Sequence, residues 1–159
     1  MVCRHNICRS PMAEGLMKHA LRDVGLRWKV KVASAGTHVD LSGQRTDERA
    51  RKVAAEHGVR LGKGRSRPIK PADFEKFDYI FAMDQENLAN LLGICPEDKR
   101  YKVRLLMEFA GHGELSDVPD PYYGNFRGFE NVFHLLEGAI EGVIQRKVLP
   151  VLSNSFTQV

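Results

Sequence analysis

The chain has 159 residues, and 43% of its side chains are apolar, which suits one domain with a hydrophobic core. Its 24 lysines and arginines outnumber its 20 acidic residues, for a net charge of +4 that suits an anionic substrate. The two signs are interspersed and no apolar run reaches the length of a membrane span, so we expect neither a nucleic-acid-binding stripe nor membrane insertion. Residues 1–11 contain no apolar core of a signal peptide, and we therefore expect a cytoplasmic protein.

The cysteine pattern argues against two common uses of this residue. The chain has three cysteines, an odd number that does not suit the disulfide framework of a secreted protein. Cys3 and Cys8 lack the second pair of ligands that a structural zinc site needs, so we expect no metal. In a reducing compartment both would be free thiols.

The first motif in chain order places Cys3 six positions before Arg9, ahead of a helix start expected at Ser10 and Pro11. Ser10 suits the N-cap, and Pro11 suits the first turn because proline has no N–H to lose there. Backbone N–H groups, a cation and a helix N-terminus together bind an oxyanion and favour a thiolate. Cys-x5-Arg alone is common by chance, so this context is what indicates that Cys3 is a nucleophile toward phosphorus.

The later elements alternate between helix and strand. The first predicted helix has an apolar face made of Ala13, Leu16, Met17, Ala20, Leu21 and Val24. The last predicted helix has an apolar face made of Phe129, Val132, Phe133, Leu136, Ile140, Val143 and Ile144. Between them the pattern predicts a strand at 29–34, a loop at 35–37, a helix at 47–57 closed by Gly58, a strand at 77–83, a helix from Asp84, a strand at 101–109 and a loop at 111–125.

This alternation predicts a single α/β domain at residues 1–149, followed by a C-terminal tail at 150–159 that has no periodicity. Strands that alternate with helices form right-handed crossovers, and hence a parallel sheet with helices on both faces. Ligands of such sheets bind beyond the carboxyl ends of the strands. We therefore expect the Cys3 loop, the Ser34 loop and the Asp84 turn to meet in one crevice.

Four blocks of sequence, taken together, resemble the low-molecular-weight protein tyrosine phosphatase family. They are Cys-x-x-Asn-Ile-Cys-Arg-Ser-Pro-Met-Ala-Glu from Cys3, Ser-Ala-Gly-Thr from Ser34, Ala-Met-Asp from Ala82 and Pro-Asp-Pro-Tyr-Tyr-Gly from Pro119. The resemblance implies a flavodoxin-like fold with a four-stranded parallel sheet. It also implies cofactor-free hydrolysis of phosphotyrosine proteins or small aryl phosphates through a phosphocysteine intermediate, with a cognate tyrosine kinase as a further partner.

The resemblance assigns catalytic roles to three residues of the Cys3 loop. Cys3 would attack phosphorus, and Arg9 would hold two oxygens of the transferred group through its planar guanidinium, which lysine cannot copy. Ser10 would donate a hydrogen bond to the departing thiolate, although an N-cap serine is ordinary in itself. The residues expected to bind phosphate through the loop are Arg4, His5, Asn6, Ile7, Cys8 and Arg9.

Asp120 is the candidate general acid, which would protonate the leaving phenolate and then activate water. Pro119-Asp120-Pro121 is also ordinary turn chemistry. We prefer Asp120 to Asp117 because the family places its acid directly before proline and a tyrosine pair. Tyr122 and Tyr123 would form a wall of the substrate pocket, or equally pack on the domain.

Two further residues, Asn6 and Ser34, are expected to support the loop, and Asp84 and Cys8 are given other roles. Asn6 occupies the position of a left-handed asparagine in the family, and asparagine tolerates that backbone. Ser34 resembles the serine that hydrogen-bonds to this asparagine. Asp84 is expected to be a helix N-cap. Cys8 would line the site and, by resemblance, trap oxidised Cys3 as a disulfide; a small apolar filler is the equally weighted alternative.

The sequence departs from the family pattern in three places. His5 stands where relatives are usually small, often glycine, and the stretch 38–44 lacks the aromatic wall that relatives often carry, which weakens a preference for phosphotyrosine. Only Met1 and Val2 precede Cys3, so the first strand is expected to be truncated and the true start to lie upstream. Because a missing central strand leaves backbone groups unpaired, we expect low stability and weak activity if this start is real.

Three alternatives remain open at this point. Arsenate reductases of the same fold share Cys-x5-Arg but use two further cysteines, and only Cys95 lies later in this chain. Phosphoarginine phosphatases tend to have threonine at the position of Ile7, so Ile7 favours aryl phosphates. A catalytically impaired oxyanion-binding module is the non-enzymatic alternative, suggested by the short first strand and His5.

Overall fold

A computed structural model describes residues 1–111 and 116–154 of the chain. Within these ranges the strands are β1 (Val2–Cys3), β2 (Ala35–Gly36), β3 (Ile80–Ala82) and β4 (Val103–Leu105). They form a parallel sheet in the order β2-β1-β3-β4. Parallel neighbours require crossover connections, which the helices supply, and the predicted four-stranded α/β fold is confirmed.

The described ranges contain six α-helices: α1 (Arg9–Asp23), α2 (Glu48–Glu56), α3 (Pro71–Lys76), α4 (Gln85–Ile94), α5 (Phe126–Val143) and α6 (Leu149–Asn154). Short 3₁₀ turns cover Glu97–Lys102 and Leu106–Phe109, and a π-helical turn at Ile144–Val148 joins α5 to α6. No helix in these ranges combines the length and apolar character needed to cross a bilayer.

Strand residues alternate between the two faces of the sheet, as the period of two requires. Cys3 and Phe81 join the apolar core built mainly by α1, α2 and α5. Val2 and Ile80 join the opposite core, where Phe74 of α3 and residues of α4 pack. Helices therefore cover both faces, as the alternation of elements predicted.

The apolar faces predicted for the first and last helices are buried in the structure, with few exceptions. Every residue predicted for the face of α5 and its continuation is buried. In α1 the predicted face is buried except for Ala20, which is half-buried, and Val24, which is 47% exposed because it is the C-cap. The start of α1 was predicted two residues late: Cys8 is the N-cap, and the hydroxyl of Ser10 is engaged elsewhere.

The strand predicted at residues 29–34 is wrong, and so is the loop predicted at Ala35–Gly36. β1 pairs Val2 with Ala35 and Cys3 with Gly36, and Val2 also pairs with Ala82 of β3. A strand forms only where a neighbour supplies its hydrogen-bond partners, so β2 comprises the two residues opposite β1. β1 joins both neighbours at the carboxyl end of the sheet, the end from which the Cys3 loop departs.

Three further differences concern element boundaries. The strands predicted at 77–83 and 101–109 shorten to β3 and β4, with 3₁₀ turns on both sides of β4. The short helix α3 was not predicted, although Pro71 at its first position is an ordinary start signal. The helical conformation continues to Asn154, into the segment 150–159 that was predicted to be an aperiodic tail, and residues 155–159 lie outside the described ranges.

Candidate active site

The loop between β1 and α1 is shaped by a left-handed asparagine. Asn6 has φ of 57°, which confirms the predicted conformation, and it is only 3% exposed. Its Nδ2 donates to Ser10 Oγ at 2.9 Å, and its Oδ1 accepts from the backbone N–H of Arg67 at 3.1 Å. Asn6 therefore ties the loop to the start of α1 and to the segment ahead of α3.

Ser34 does not form the hydrogen bond predicted for it. Its Oγ donates to Glu14 Oε2 at 2.5 Å, while Asn6 is held by Ser10 and Arg67. The residue precedes the paired part of β2 and meets α1, where a carboxylate is a stronger acceptor than an amide. The direct support of Asn6 is thus supplied by residues that the sequence analysis did not assign to it.

Three amide groups of the loop point inward. Three loop carbonyls accept hydrogen bonds from amides outside the loop: Cys3 from Thr37 at 2.9 Å, Arg4 from His38 at 2.8 Å and Ile7 from Asp47 at 2.8 Å. In a planar trans peptide the next N–H points opposite to its carbonyl, and no peptide bond here is cis. The N–H groups of Arg4, His5 and Cys8 therefore face the inside of the loop, where an oxyanion would bind.

Gly36 allows the sheet to approach this loop closely. A Cβ at this position would lie 2.6 Å from the carbonyl oxygen of Arg4 and 3.1 Å from the amide nitrogen of Asn6. Both neighbours are backbone atoms that hold the loop, so neither can move aside cheaply. Glycine in the Ser-Ala-Gly-Thr block is therefore required by the shape of the anion-binding loop.

The thiol of Cys3 lies beside a hydroxyl that has one proton to donate. Cys3 Sγ is 3.1 Å from Ser10 Oγ, and both residues are buried. Ser10 Oγ accepts from Asn6 and also lies 3.3 Å from the carbonyl oxygen of Ala35. Because Asn6 occupies an acceptor site of the hydroxyl, its proton is directed to Ala35 or to the sulfur.

Arg9 is a buried cation with three oxygen partners. Its side chain is 4% exposed and donates to Asp84 Oδ2, to the carbonyl oxygen of Val118 at 3.0 Å and to Asp120 Oδ2 at 2.9 Å. Burial alone would lower the pKa of Arg9, but the negative charges of Cys3, Asp120 and Asp84 outweigh burial and raise it. The guanidinium thus contacts the candidate acid directly and interacts electrostatically with the nucleophile.

Asp120, rather than Asp117, reaches this cluster. Asp120 contacts Arg9 through Oδ2 and accepts the N–H of Tyr122 on Oδ1 at 3.1 Å, and its side chain is 41% exposed. Asp117 instead accepts the N–H of Gln85 at the start of α4, at 3.2 Å. The geometry favours the acid preferred from sequence.

Asp84 has two functions, of which the sequence predicted one. Its Oδ1 caps α4 by accepting the N–H of Asn87 at 2.7 Å, as expected. Its Oδ2 accepts from Arg9, a contact that the sequence analysis missed. The sequence did contain a signal for this contact. A buried arginine needs a negatively charged partner, and Asp84 follows the carboxyl end of a neighbouring strand.

Arg49 was also missed. This side chain donates to the carbonyl oxygens of Tyr122 and Gly124 at 3.0 and 3.1 Å, and it pairs with Asp47. Tyr122 is 41% exposed and Tyr123 is 96% exposed, and their rings pack edge-on against each other. Both tyrosines remain available as walls of a pocket, and Arg49 contacts the loop that carries them.

The rim and the lining of the loop differ in polarity. His5 Nδ1 lies 2.9 Å from the carbonyl oxygen of His38, and Arg4 pairs with Glu86, both in exposed positions. Cys8 is buried, and burial together with the charges of Asp47 and Cys3 raises the pKa of its thiol. The three cysteines of the chain are free in this structure.

A thiol, a guanidinium and a carboxylate meet at the carboxyl end of a parallel α/β sheet, and this arrangement defines a cysteine-dependent phosphatase. A family model described as low molecular weight phosphotyrosine protein phosphatase matches residues 1–149. The chain belongs to this family.

Individual relatives agree. A low molecular weight phosphotyrosine protein phosphatase of Schizosaccharomyces pombe is 40% identical over 133 residues, which cover 83% of this chain and 85% of the relative. A low molecular weight protein-tyrosine-phosphatase of Streptomyces coelicolor is 38% identical over 147 residues, covering 90% and 88%. A crystal structure of a protein tyrosine phosphatase from Entamoeba histolytica, with Hepes in the active site, has a TM-score of 0.88 at 39% identity and covers 98% of this chain and 96% of its own.

Proposed function

We propose that the chain hydrolyses phosphotyrosine in proteins and small aryl phosphates, with Cys3 as the nucleophile. The observation that carries this proposal is the position of Arg9, which is buried in the same loop as Cys3 and donates to Asp120 at 2.9 Å. A nucleophile, a cation for the transferred group and a candidate acid for the leaving group are thereby assembled around one crevice.

In the first step the phosphate dianion enters the loop and meets its inward amides and Arg9. The thiolate of Cys3 attacks phosphorus, a sulfur–phosphorus bond forms, and the bond to the phenolic oxygen breaks. Asp120, in its acid form, gives its proton to the leaving oxygen. The products of this step are a phenol and a phosphocysteine, and the Asp120 carboxylate is left ionised.

In the second step water attacks the phosphorus of the phosphocysteine. Asp120 takes a proton from this water, the sulfur–phosphorus bond breaks, and the thiolate returns. Ser10 Oγ, 3.1 Å from the sulfur, supplies a hydrogen bond to this developing thiolate. The net reaction consumes one water and releases inorganic phosphate, and Asp120 ends in the acid form in which it began.

The partners follow from this chemistry. Phosphotyrosine proteins are the proposed physiological substrates, and a tyrosine kinase is the enzyme class that makes them. We place the reaction in the cytoplasm, where a free thiol such as Cys3 stays reduced. Tyr122 and Tyr123 are proposed to flank the aryl ring.

The alternatives are less well supported by the geometry. An arsenate reductase cycle needs further cysteines within reach of the nucleophile, but Cys95 packs in the core on the opposite face of the sheet from Cys3. An impaired binding module would not need an acid, yet Asp120 lies at Arg9. Ile7 still favours aryl phosphates over phosphoarginine.

The test is turnover of 4-nitrophenyl phosphate and of a phosphotyrosine peptide by the wild-type chain and by Cys3→Ser. We expect wild-type turnover, none by the variant, and retained binding of inorganic phosphate by the variant. Mass spectrometry of acid-quenched wild-type enzyme should locate phosphate on Cys3. Full activity in Cys3→Ser would overturn the proposal.

A further inference from the structure

The two halves of the proposed site come from distant parts of the chain. The nucleophile loop, residues 3–10, runs from the end of β1 into the first turn of α1, and the acid loop, residues 119–124, precedes α5. Only a correct distance between the two loops lets Asp120 reach the leaving oxygen of a phosphate bound at Cys3. Some group must therefore fix one loop against the other.

Arg49 of α2 contacts the acid loop on its backbone. Its Nη1 donates to the carbonyl oxygen of Gly124 at 3.1 Å, and its Nη2 donates to that of Tyr122 at 3.0 Å. The guanidinium carbon lies 5.7 Å from the ring centre of Tyr122 and 4.5 Å from that of Phe129 in α5. The planar guanidinium thus binds two carbonyls and two rings, which the point charge of a lysine cannot do.

The same side chain is anchored toward the nucleophile loop. Arg49 Nε and Nη2 donate to the two carboxylate oxygens of Asp47 at 3.1 and 2.9 Å. The backbone N–H of Asp47 in turn donates to the carbonyl oxygen of Ile7 at 2.8 Å. A continuous chain of hydrogen bonds therefore runs from Ile7 through Asp47 and Arg49 to Tyr122 and Gly124.

Tyr122 links this chain to the general acid. Its backbone N–H holds Asp120 Oδ1, while its backbone carbonyl is held by Arg49. The other anchor of Asp120 is Arg9, which must turn its donors toward phosphate oxygens when substrate binds. In the occupied site, Asp120 is then held by the backbone N–H of Tyr122, and the position of Tyr122 is fixed by Arg49.

We propose that Arg49 is a positioning residue for the general acid: it fixes the acid loop against the nucleophile loop and keeps Asp120 within reach of the leaving oxygen. This inference rests on the proposed phosphatase function. Arg49 does not touch the reacting atoms, so its loss should impair proton transfer to the leaving group and spare the attack by Cys3.

A pair of substrates separates these effects. Phenolate is a strong base that leaves readily only when protonated, whereas 4-nitrophenolate leaves with little help. The ratio kcat/KM covers the steps up to formation of the phosphocysteine. We expect Arg49→Lys to lower kcat/KM for phenyl phosphate by about tenfold or more and that for 4-nitrophenyl phosphate by less than about threefold.

Lysine is the primary variant because it retains the charge beside Asp47 and so favours folding, and Arg49→Met is the more severe version. Arg51→Met is the matched control, since Arg51 is an exposed arginine of the same helix two positions away. Rates with both substrates should remain at the wild-type level in this control. The inhibition constant of inorganic phosphate should also stay unchanged in Arg49→Lys, because the nucleophile loop is intact.

A double-mutant cycle provides the decisive readout. In an Asp120→Asn background, Arg49→Lys should cause no further loss with phenyl phosphate, because the acid it positions is gone. Equal losses for both substrates, no loss, or an additive loss in the Asp120→Asn background would each overturn the inference. If the wild-type enzyme hydrolyses neither ester, the proposed function itself is overturned.

Discussion

Arg9 and Asp120 form an ion pair across the centre of the site, with Arg9 Nη2 2.9 Å from Asp120 Oδ2. The arginine side chain is 4% exposed and the aspartate side chain is 41% exposed, so a buried cation meets a carboxylate at the mouth of the crevice. The candidate acid thus occupies one of the donors that the transferred phosphoryl group needs. Binding of phosphate must therefore compete with Asp120 for Arg9.

Replacing Asp120 by asparagine should separate catalysis from phosphate binding. We expect kcat/KM for phenyl phosphate to fall by about 100-fold or more, because general acid catalysis is lost. Inorganic phosphate should bind more tightly, by about threefold to tenfold, because a negative charge beside Arg9 is removed. Steady-state kinetics with phosphate as a competitive inhibitor measures both quantities, and weaker phosphate inhibition would contradict the competition described here.

Asp84→Asn tests the second function of this helix cap. Asparagine caps a helix as well as aspartate does, so α4 should keep its start. Arg9 exchanges a charged partner for a neutral one, and kcat/KM for 4-nitrophenyl phosphate should fall by about fivefold, since charge-assisted hydrogen bonds exceed neutral ones by roughly 1 kcal/mol.

Saturating inorganic phosphate supplies the control for Asp84→Asn. A drop in Tm that arises from the under-compensated charge of Arg9 should be reversed by phosphate, because the anion replaces the lost partner. Thermal unfolding with and without phosphate measures this recovery. A Tm deficit of Asp84→Asn relative to wild type that is undiminished in phosphate would show instead that the cap of α4 was lost.

Features that depend on local interactions could be predicted from the sequence, whereas those that depend on contacts between distant residues could not. The apolar faces of α1 and α5 were predictable because helical spacing records which side is buried. Asn6 and the Cys3–Arg9 loop were predictable because their signals are local. The contact of Asp84 with Arg9 joins residues 75 positions apart, and no local pattern contains it.

The errors have a related physical cause. Residues 29–34 alternate like a strand, but a strand exists only where a neighbour pairs with it, and β1 pairs with Ala35 and Gly36. Ser34 was expected to meet Asn6, but the carboxylate of Glu14 is its acceptor. Arg49 carried no motif at all, because its function depends on where α2 packs relative to the acid loop.

The cysteines should differ in reactivity toward iodoacetamide. Burial raises the pKa of Cys8, the charges of Asp47 and Cys3 raise it further, and burial also raises the pKa of Cys95. Because the thiolate is the reactive form, both should stay unreactive in the folded protein from about pH 7 to about pH 9. Cys3, in the anion-binding loop, should be labelled first and be protected by inorganic phosphate.

Peptide mapping by mass spectrometry after timed labelling checks this order. Cys3→Ser is the matched control, since in this variant the native protein should take up almost no label. Urea-unfolded wild type should take up label at all three cysteines. Rapid labelling of Cys8 in the native Cys3→Ser variant would contradict the raised pKa described for its thiol.

Asp73 should contribute stability that depends on pH. It accepts from Arg67 at 2.8 and 3.2 Å and from the backbone N–H of Lys70 at 2.9 Å. Burial would raise the pKa of Asp73, but these hydrogen bonds and the charge of Arg67 outweigh it and lower the pKa below its ordinary value. The backbone N–H of Arg67 also donates to Asn6 in the nucleophile loop. Asp73 therefore binds the side chain of a residue that supports this loop.

The sign of the pH effect follows from that lowered pKa. The unfolded chain binds a proton at Asp73 more readily than the folded protein does, so the stabilisation is complete above the unfolded pKa of about 4 and is lost as the pH falls through the lower folded pKa. Asp73→Asn should therefore reduce the free energy of unfolding by about 1–3 kcal/mol at neutral pH. Urea unfolding at a series of pH values should show this difference shrinking below about pH 4, and a difference that is constant with pH would contradict the assignment.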